Sequence, residues 1–181
     1  SMKVPGMTGI VSGTPQAMTY AFTAPSTDIQ IAFAEDQKPA GTVGILLSDM
    51  TSTYALAGAA DAPTLDGSFA AASAALTLAV SGDDGSDVTG VLNAADLSAK
   101  MVGNFIGMEQ DDLAVALSKG FALDSSFGYG ATNYEIDFTD ESGPSKLVGG
   151  SEGGAFQVAM DAARMLMSGG GKNVAVTITS A

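Results

Sequence analysis

A chain of 181 residues with 20 acidic against 7 basic side chains, net charge −13, repels a phosphate backbone or an anionic lipid surface rather than seeking one. With neither histidine nor cysteine it lacks the Ser-His-Asp arrangement, thiolate nucleophiles, disulfides and thiolate metal ligands. Its 46% hydrophobic and 15% charged residues mark a packed domain rather than a disordered tail, and no run approaches the ~18 apolar residues of a membrane helix.

Ser1-Met2 reads as an expression remnant and 1–9 as tag remnant and leader, with 10–181 as a single β-rich domain. From there the dominant signal is period-two alternation, which puts successive side chains on opposite faces of a strand. In "AMTYAFT" Met18, Tyr20 and Phe22 share a face, and in "DIQIAFAE" Ile29, Ile31 and Phe33 do. The pattern recurs at Tyr54 and Leu56, at Leu76, Leu78 and Val80, at Phe156, Val158 and Met160, and at Val174, Val176 and Ile178. Turn clusters rich in Gly, Pro, Asn and Asp separate these runs: "APST", "EDQKPAG", "GDDGSD", "DESGPS" and "SGGGKN". Spacing of this kind predicts an antiparallel meander, since parallel crossovers need long helices that the sequence lacks.

One stretch departs from the rhythm. "EQDDLAVALSKG" has Leu113 and Leu117 four apart, acids at its start, Lys119 near its end and Gly120 in the position of a C-cap, which predicts a short helix over about 109–119. The preceding Leu97, Met101 and Phe105 have helical spacing too, although Val88 to Leu92 look extended, and both assignments stay open there. Residues 53–82 and 133–162 echo one another, suggesting two β-meanders flanking the helix.

The chemistry-bearing candidates are few. In "YEIDFTDESG" alternation sets Glu135 and Asp137 on the wet face and Tyr134, Ile136 and Phe138 on the other, while Asp140 and Glu141 fall in a turn. Two carboxylates ~6.6 Å apart along a strand are compatible with a glycosidase pair, but no tryptophan offers a sugar platform, and a solvated strand face is the ordinary reading. Asp83, Asp84 and Asp87 in "GDDGSD" are the best calcium candidates, though the loop lacks the length and terminal glutamate of a helix-loop-helix site. Lys119 beside Ser118 and Lys146 beside Ser145 are poorly placed as Ser-Lys dyads, because adjacent residues point apart. Met160, Met165 and Met167, with Leu113 and Leu117 of the helix, suggest a groove for an apolar ligand, against the plainer alternative of core filling.

"DDLAVALSKGFALDSSFGYGATNYEIDFTD" followed by "GGAFQVAMDAARM", Asp111 to Met165, resembles the bacterial exported family catalogued as domain of unknown function 2125, encountered mainly in alphaproteobacteria. The resemblance implies a periplasmic location and a β-rich scaffold, and it carries no catalytic residues to this chain.

The expectation is a mainly β protein, an antiparallel meander forming a curved sheet or partly closed barrel around one short helix, with Leu113 and Leu117 pointing into its concavity beside Phe22, Phe33, Ile136 and Phe138. The expected function is a non-enzymatic periplasmic binding or scaffold module holding an apolar or lipid-like ligand. The alternative is a structural or interaction domain that assembles through strand edges, with itself or a protein partner, or is stabilised by calcium at its acidic turns. No cofactor, nucleic acid or transmembrane segment is expected.

Overall fold

The computed structural model describes residues 1–33, 40–59, 62–82, 85–107 and 112–180. In chain order they form β1 (Met2–Lys3), β2 (Thr8–Thr14), β3 (Ala17–Phe33), β4 (Ala40–Ala59), β5 (Ala62–Ser81), β6 (Asp87–Asn104), α1 (Leu113–Ser118), β7 (Ala122–Tyr129), β8 (Thr132–Asp140), β9 (Gly143–Ser151), β10 (Gly153–Asp161), β11 (Arg164–Lys172) and β12 (Ala175–Ser180). All the strands belong to one antiparallel sheet, curved and open. The two runs that echo each other in sequence both lie within it.

Several strands are halves of longer lines. Ser98 pairs with Gly128 and Ala94 with Thr132, so β6 runs along β7 and then β8 without gaining or losing a residue. The same continuity joins β9 to β10 along β8 and β7, β11 to β12 along β10 and β9, and β1 to β2 along β3. The sheet is therefore a meander of long strand lines, turned by short links such as Glu141-Ser142, where the Asp140 carboxylate accepts the Ser142 N–H at 2.7 Å, and Ala162-Ala163, where Asp161 accepts from Ala163 at 2.8 Å. Each hairpin returns to the same two ends of the sheet, so the register accumulates no stagger. Closing a barrel requires such a stagger, and the partly closed alternative is not what forms: β1–β2 and β11–β12 remain as edges.

A seam crosses the strands at mid-length. Ladder pairing lapses between Pro25 and Asp49, between Asp49 and Ala72, between Ala72 and Asp96, and around Gly130. Asp49 and Asp96 take left-handed backbone angles there (φ 49° and 51°). The seam shifts the phase of burial: on β3, Ala24 and Thr27 are three residues apart yet both buried, which an unbroken strand would place on opposite faces. On β5 the sheltered positions Leu65, Gly67, Phe69 and Ala71 give way, past Ala72 and Ser73, to Leu78 and Val80. One apolar side thus continues across the whole sheet. Leu97 and Met101 lie on that side because i, i+4 spacing also satisfies alternation, which resolves the ambiguous stretch as strand.

Thr27 is 3% exposed and its hydroxyl has no hydrogen-bond partner. Thr27→Val keeps the β-branched shape and removes that unsatisfied group, so it is expected to raise stability by about 1 kcal/mol, read as a higher urea midpoint with unchanged slope.

The helix is shorter than the sequence pattern predicts, and Glu109 lies outside the described residues. Asp112 caps it by accepting the Ala114 N–H at 2.8 Å. Gly120 (φ 108°) closes it as anticipated, with Phe121 N–H donating to the Ala116 carbonyl at 3.0 Å and Gly120 N–H to that of Leu117 at 3.1 Å. Leu113 does not point into a concavity; it is 47% exposed, and Ala116 is the helix's buried residue. Six residues make under two turns, too little to carry a leucine stripe. The segment is braced instead by its own connection, with the Phe105 and Phe121 rings 6.1 Å apart and Gly107 close beneath Ala116.

Candidate binding face

Residues paired side by side across the sheet form rows that share a face. One row runs Gly9, Phe22, Ser52, Phe69, Ala99, Phe127, Phe156, Gly169, and another, beyond the seam, Ile31, Val43, Leu78, Gly90, Ile136, Leu147, Ile178. The rows through Met18, Tyr20, Phe22 and Ala24 on one side of the seam, and through Thr27, Ile29, Ile31 and Phe33 on the other, contain no Asp, Glu, Lys or Arg among their paired residues. Charged residues fall in the rows between: Asp66 and Asp124 together, Lys100, Lys3 with Asp28, Glu135, and Asp137 with Lys146.

Aromatic rings on the charge-free side lie over glycines of the neighbouring strand. A Cβ added at Gly67 would come within 2.9 Å of the Tyr54 ring, at Gly9 within 3.0 Å of Phe22, at Gly41 within 2.6 Å of Phe33 and at Gly169 within 2.9 Å of Phe156. Tyr134 covers Gly149 and Tyr129 covers Gly154 in the same way. The missing side chain lets each ring tilt onto the backbone, which lowers the relief of the face and shelters apolar area that a single-layer sheet otherwise leaves wet. The shelter is partial: Phe127 and Phe156 are 41% and 44% exposed, and among the described residues no large side chain is fully buried.

Of the residues singled out as a ligand groove, the sheet gathers the three methionines. Met160 pairs with Met165, and Val158 with Met167, on the corner formed by β10 and β11. Met165 and Met167 are exposed, and Met167 lines a shallow depression of about 460 Å³ together with Tyr129, Phe156 and Gly169 to Gly171. Leu113 and Leu117 are carried by α1 in the β6–β7 connection, outside the sheet rows. The glycines beneath the rings were missed from sequence; their signal lies in the pairing, which sets Tyr54 opposite Gly67 although neither run announces the other.

The acidic strand behaves as a wet face. Asp137 lies opposite Lys146 and Glu135 diagonal to it, with Lys146 Nζ 2.5 Å from Glu135 Oε1 and 3.7 Å from Asp137 Oδ1. The hydrogen bond to Glu135, seconded by the charge of Asp137, raises the Lys146 pKa above its ordinary value. The two carboxylates thus serve a lysine in water. Ser145 pairs with Phe138 in a charge-free row while Lys146 faces the other way, so no dyad forms. Ser118 instead donates to the Val115 carbonyl at 2.7 Å. Asp87 starts β6 opposite Ser81, whereas Asp83 and Asp84 lie outside the described residues. Among the described residues no group of three or more Asp or Glu side chains is arranged to hold a metal ion.

No protein-family model, characterised protein or solved structure matches the chain. Its physical reading therefore rests on the sheet alone. Among the described residues no helix is long and apolar enough to cross a membrane.

Proposed function

We propose that the chain is a non-enzymatic binding or scaffold module, periplasmic in keeping with the family resemblance, that works through its charge-free sheet face by taking up an apolar, lipid-like occupant. The observation that carries this reading is the separation of charge from apolar area: a half-exposed surface of Phe, Tyr, Leu, Ile and Met, uninterrupted by ionised groups, is what marks an apolar binding site on a protein surface. Ligand sites are built from apolar and aromatic side chains with few polar groups, and the corner at Phe156 and Met167 has that chemistry. Native mass spectrometry of the purified protein, with organic extraction of whatever it carries, tests the reading. A stoichiometric apolar ligand is the expected result, and a clean apo mass counts against it.

The edges favour a second reading, an interaction domain that extends its sheet. Among the described residues β11–β12 has no partner on its outer side, and Val174, Val176 and Ile178 along it are 67%, 58% and 75% exposed. Unpaired N–H and C=O groups on such an edge are a template for strand addition.

A further inference from the structure

We infer that the charge-free face is covered, in the ligand-free protein, by the same face of a second copy of this chain. The inference rests on the reading that this face takes an apolar occupant, and names that occupant as self.

Area is the first argument. A compact monomer of 18.0 kDa exposes about 8,000 Å², whereas this chain exposes 11191 Å². The excess is roughly 3,000 Å² per copy, about 6,000 Å² for a pair, so two copies have area enough to supply the about 2,000–5,000 Å² or more that an obligate dimer buries. An edge-to-edge contact would hide one strand line and leave the face wet.

Charge is the second. Each copy carries −13, so association of arbitrary surfaces is repelled. Stacking the two charge-free faces keeps the ionised rows of Asp66, Lys100, Glu135 and Asp137 outward in water and puts no charge in the interface core, the composition that buried interface centres have. The same net charge disfavours an anionic bilayer as the covering surface.

Shape is the third. Rings laid over Gly9, Gly67 and Gly169 give the face low relief. Four charge-free rows on one side of the seam are matched by four on the other, so a two-fold axis along the seam carries each set onto its counterpart. A two-fold contact requires that self-complementarity, and face-to-face sheets pack about 10 Å apart through interdigitating side chains.

The test is solution mass by light scattering and sedimentation on the wild-type chain and three variants, from about 1 to 100 μM, a range set by the affinities of stable interfaces. The wild type is expected at twice 18.0 kDa. Leu76→Glu, which puts a carboxylate into the face, should be monomeric; the milder Leu92→Thr should fold as the wild type does and weaken association by about tenfold or more, since each site occurs twice. Thr177→Lys, which blocks edge pairing at an exposed position of β12, should remain dimeric. A monomeric wild type overturns the inference. So does a dimer that Thr177→Lys dissociates and the face variants do not, which would assign the contact to the edge. A chain that carries an extracted lipid and stays monomeric once that lipid is removed would refute self-stacking and leave the proposed ligand function standing, whereas an apo dimer would do the reverse.

Discussion

Gly67→Val is expected to destabilise the sheet by roughly 2 kcal/mol, the cost of forcing a branched side chain into a filled site. Gly67 is buried in β5 between Tyr54 of β4 and Met101 of β6. Its absent Cβ would meet the Tyr54 ring at 2.9 and 3.2 Å, so valine must lift the ring off the backbone and re-expose apolar area beneath it. The contact is a pair, and a double-mutant cycle isolates it. In a Tyr54→Ala background the same substitution should cost less than about 1 kcal/mol, because the obstructing ring is gone. Urea unfolding followed by circular dichroism reads both values. Equal costs in the two backgrounds would mean that the ring is not the cause, and the low relief of the face would need another explanation.

Asp96→Val should cost about 2 kcal/mol or more, while Asp96→Gly should leave stability within about 0.5 kcal/mol of the parent or raise it. The left-handed angle at Asp96 (φ 51°) is tolerated by Asp and Gly and opposed by a β-branched side chain. Asp49, two strands away on the same seam, has φ 49° and should rank its substitutions in the same order. The expectation depends on backbone geometry alone and not on the carboxylate, so Asp96→Asn should be nearly neutral. Finding valine tolerated, or glycine markedly worse than aspartate, would show that the strand does not pass through this angle. The phase shift of the apolar rows would then lose its physical origin.

Much of this architecture was legible locally. Met18, Tyr20 and Phe22, or Leu76, Leu78 and Val80, announce strands because alternation is a property of a few consecutive residues, and each run lies in a strand. The Gly120 stop and the turn at Asp140 to Gly143 were readable for the same reason, since capping and turn geometry depend on neighbours along the chain. The wet reading of Glu135 and Asp137 needed only their parity relative to Tyr134 and Ile136. The helix was overextended because Leu113 and Leu117 share a helical face, while packing along the β6–β7 connection selects Ala116 instead.

Other features depend on partners distant in sequence. The phase shift at the seam hides in each strand as a lapse in alternation, as between Ala71 and Ala74, and becomes one feature only when Pro25, Asp49, Ala72, Asp96 and Gly130 are set side by side. Glycines read as punctuation prove to be seats for rings on the next strand. Composition and period alone make the chain β, antiparallel, acidic and without the side chains of thiolate or imidazole chemistry. Register decided the rest: an unstaggered meander stays open, its rows separate charge from apolar area, and the face so formed is left half-exposed because no second layer of the described residues packs against it.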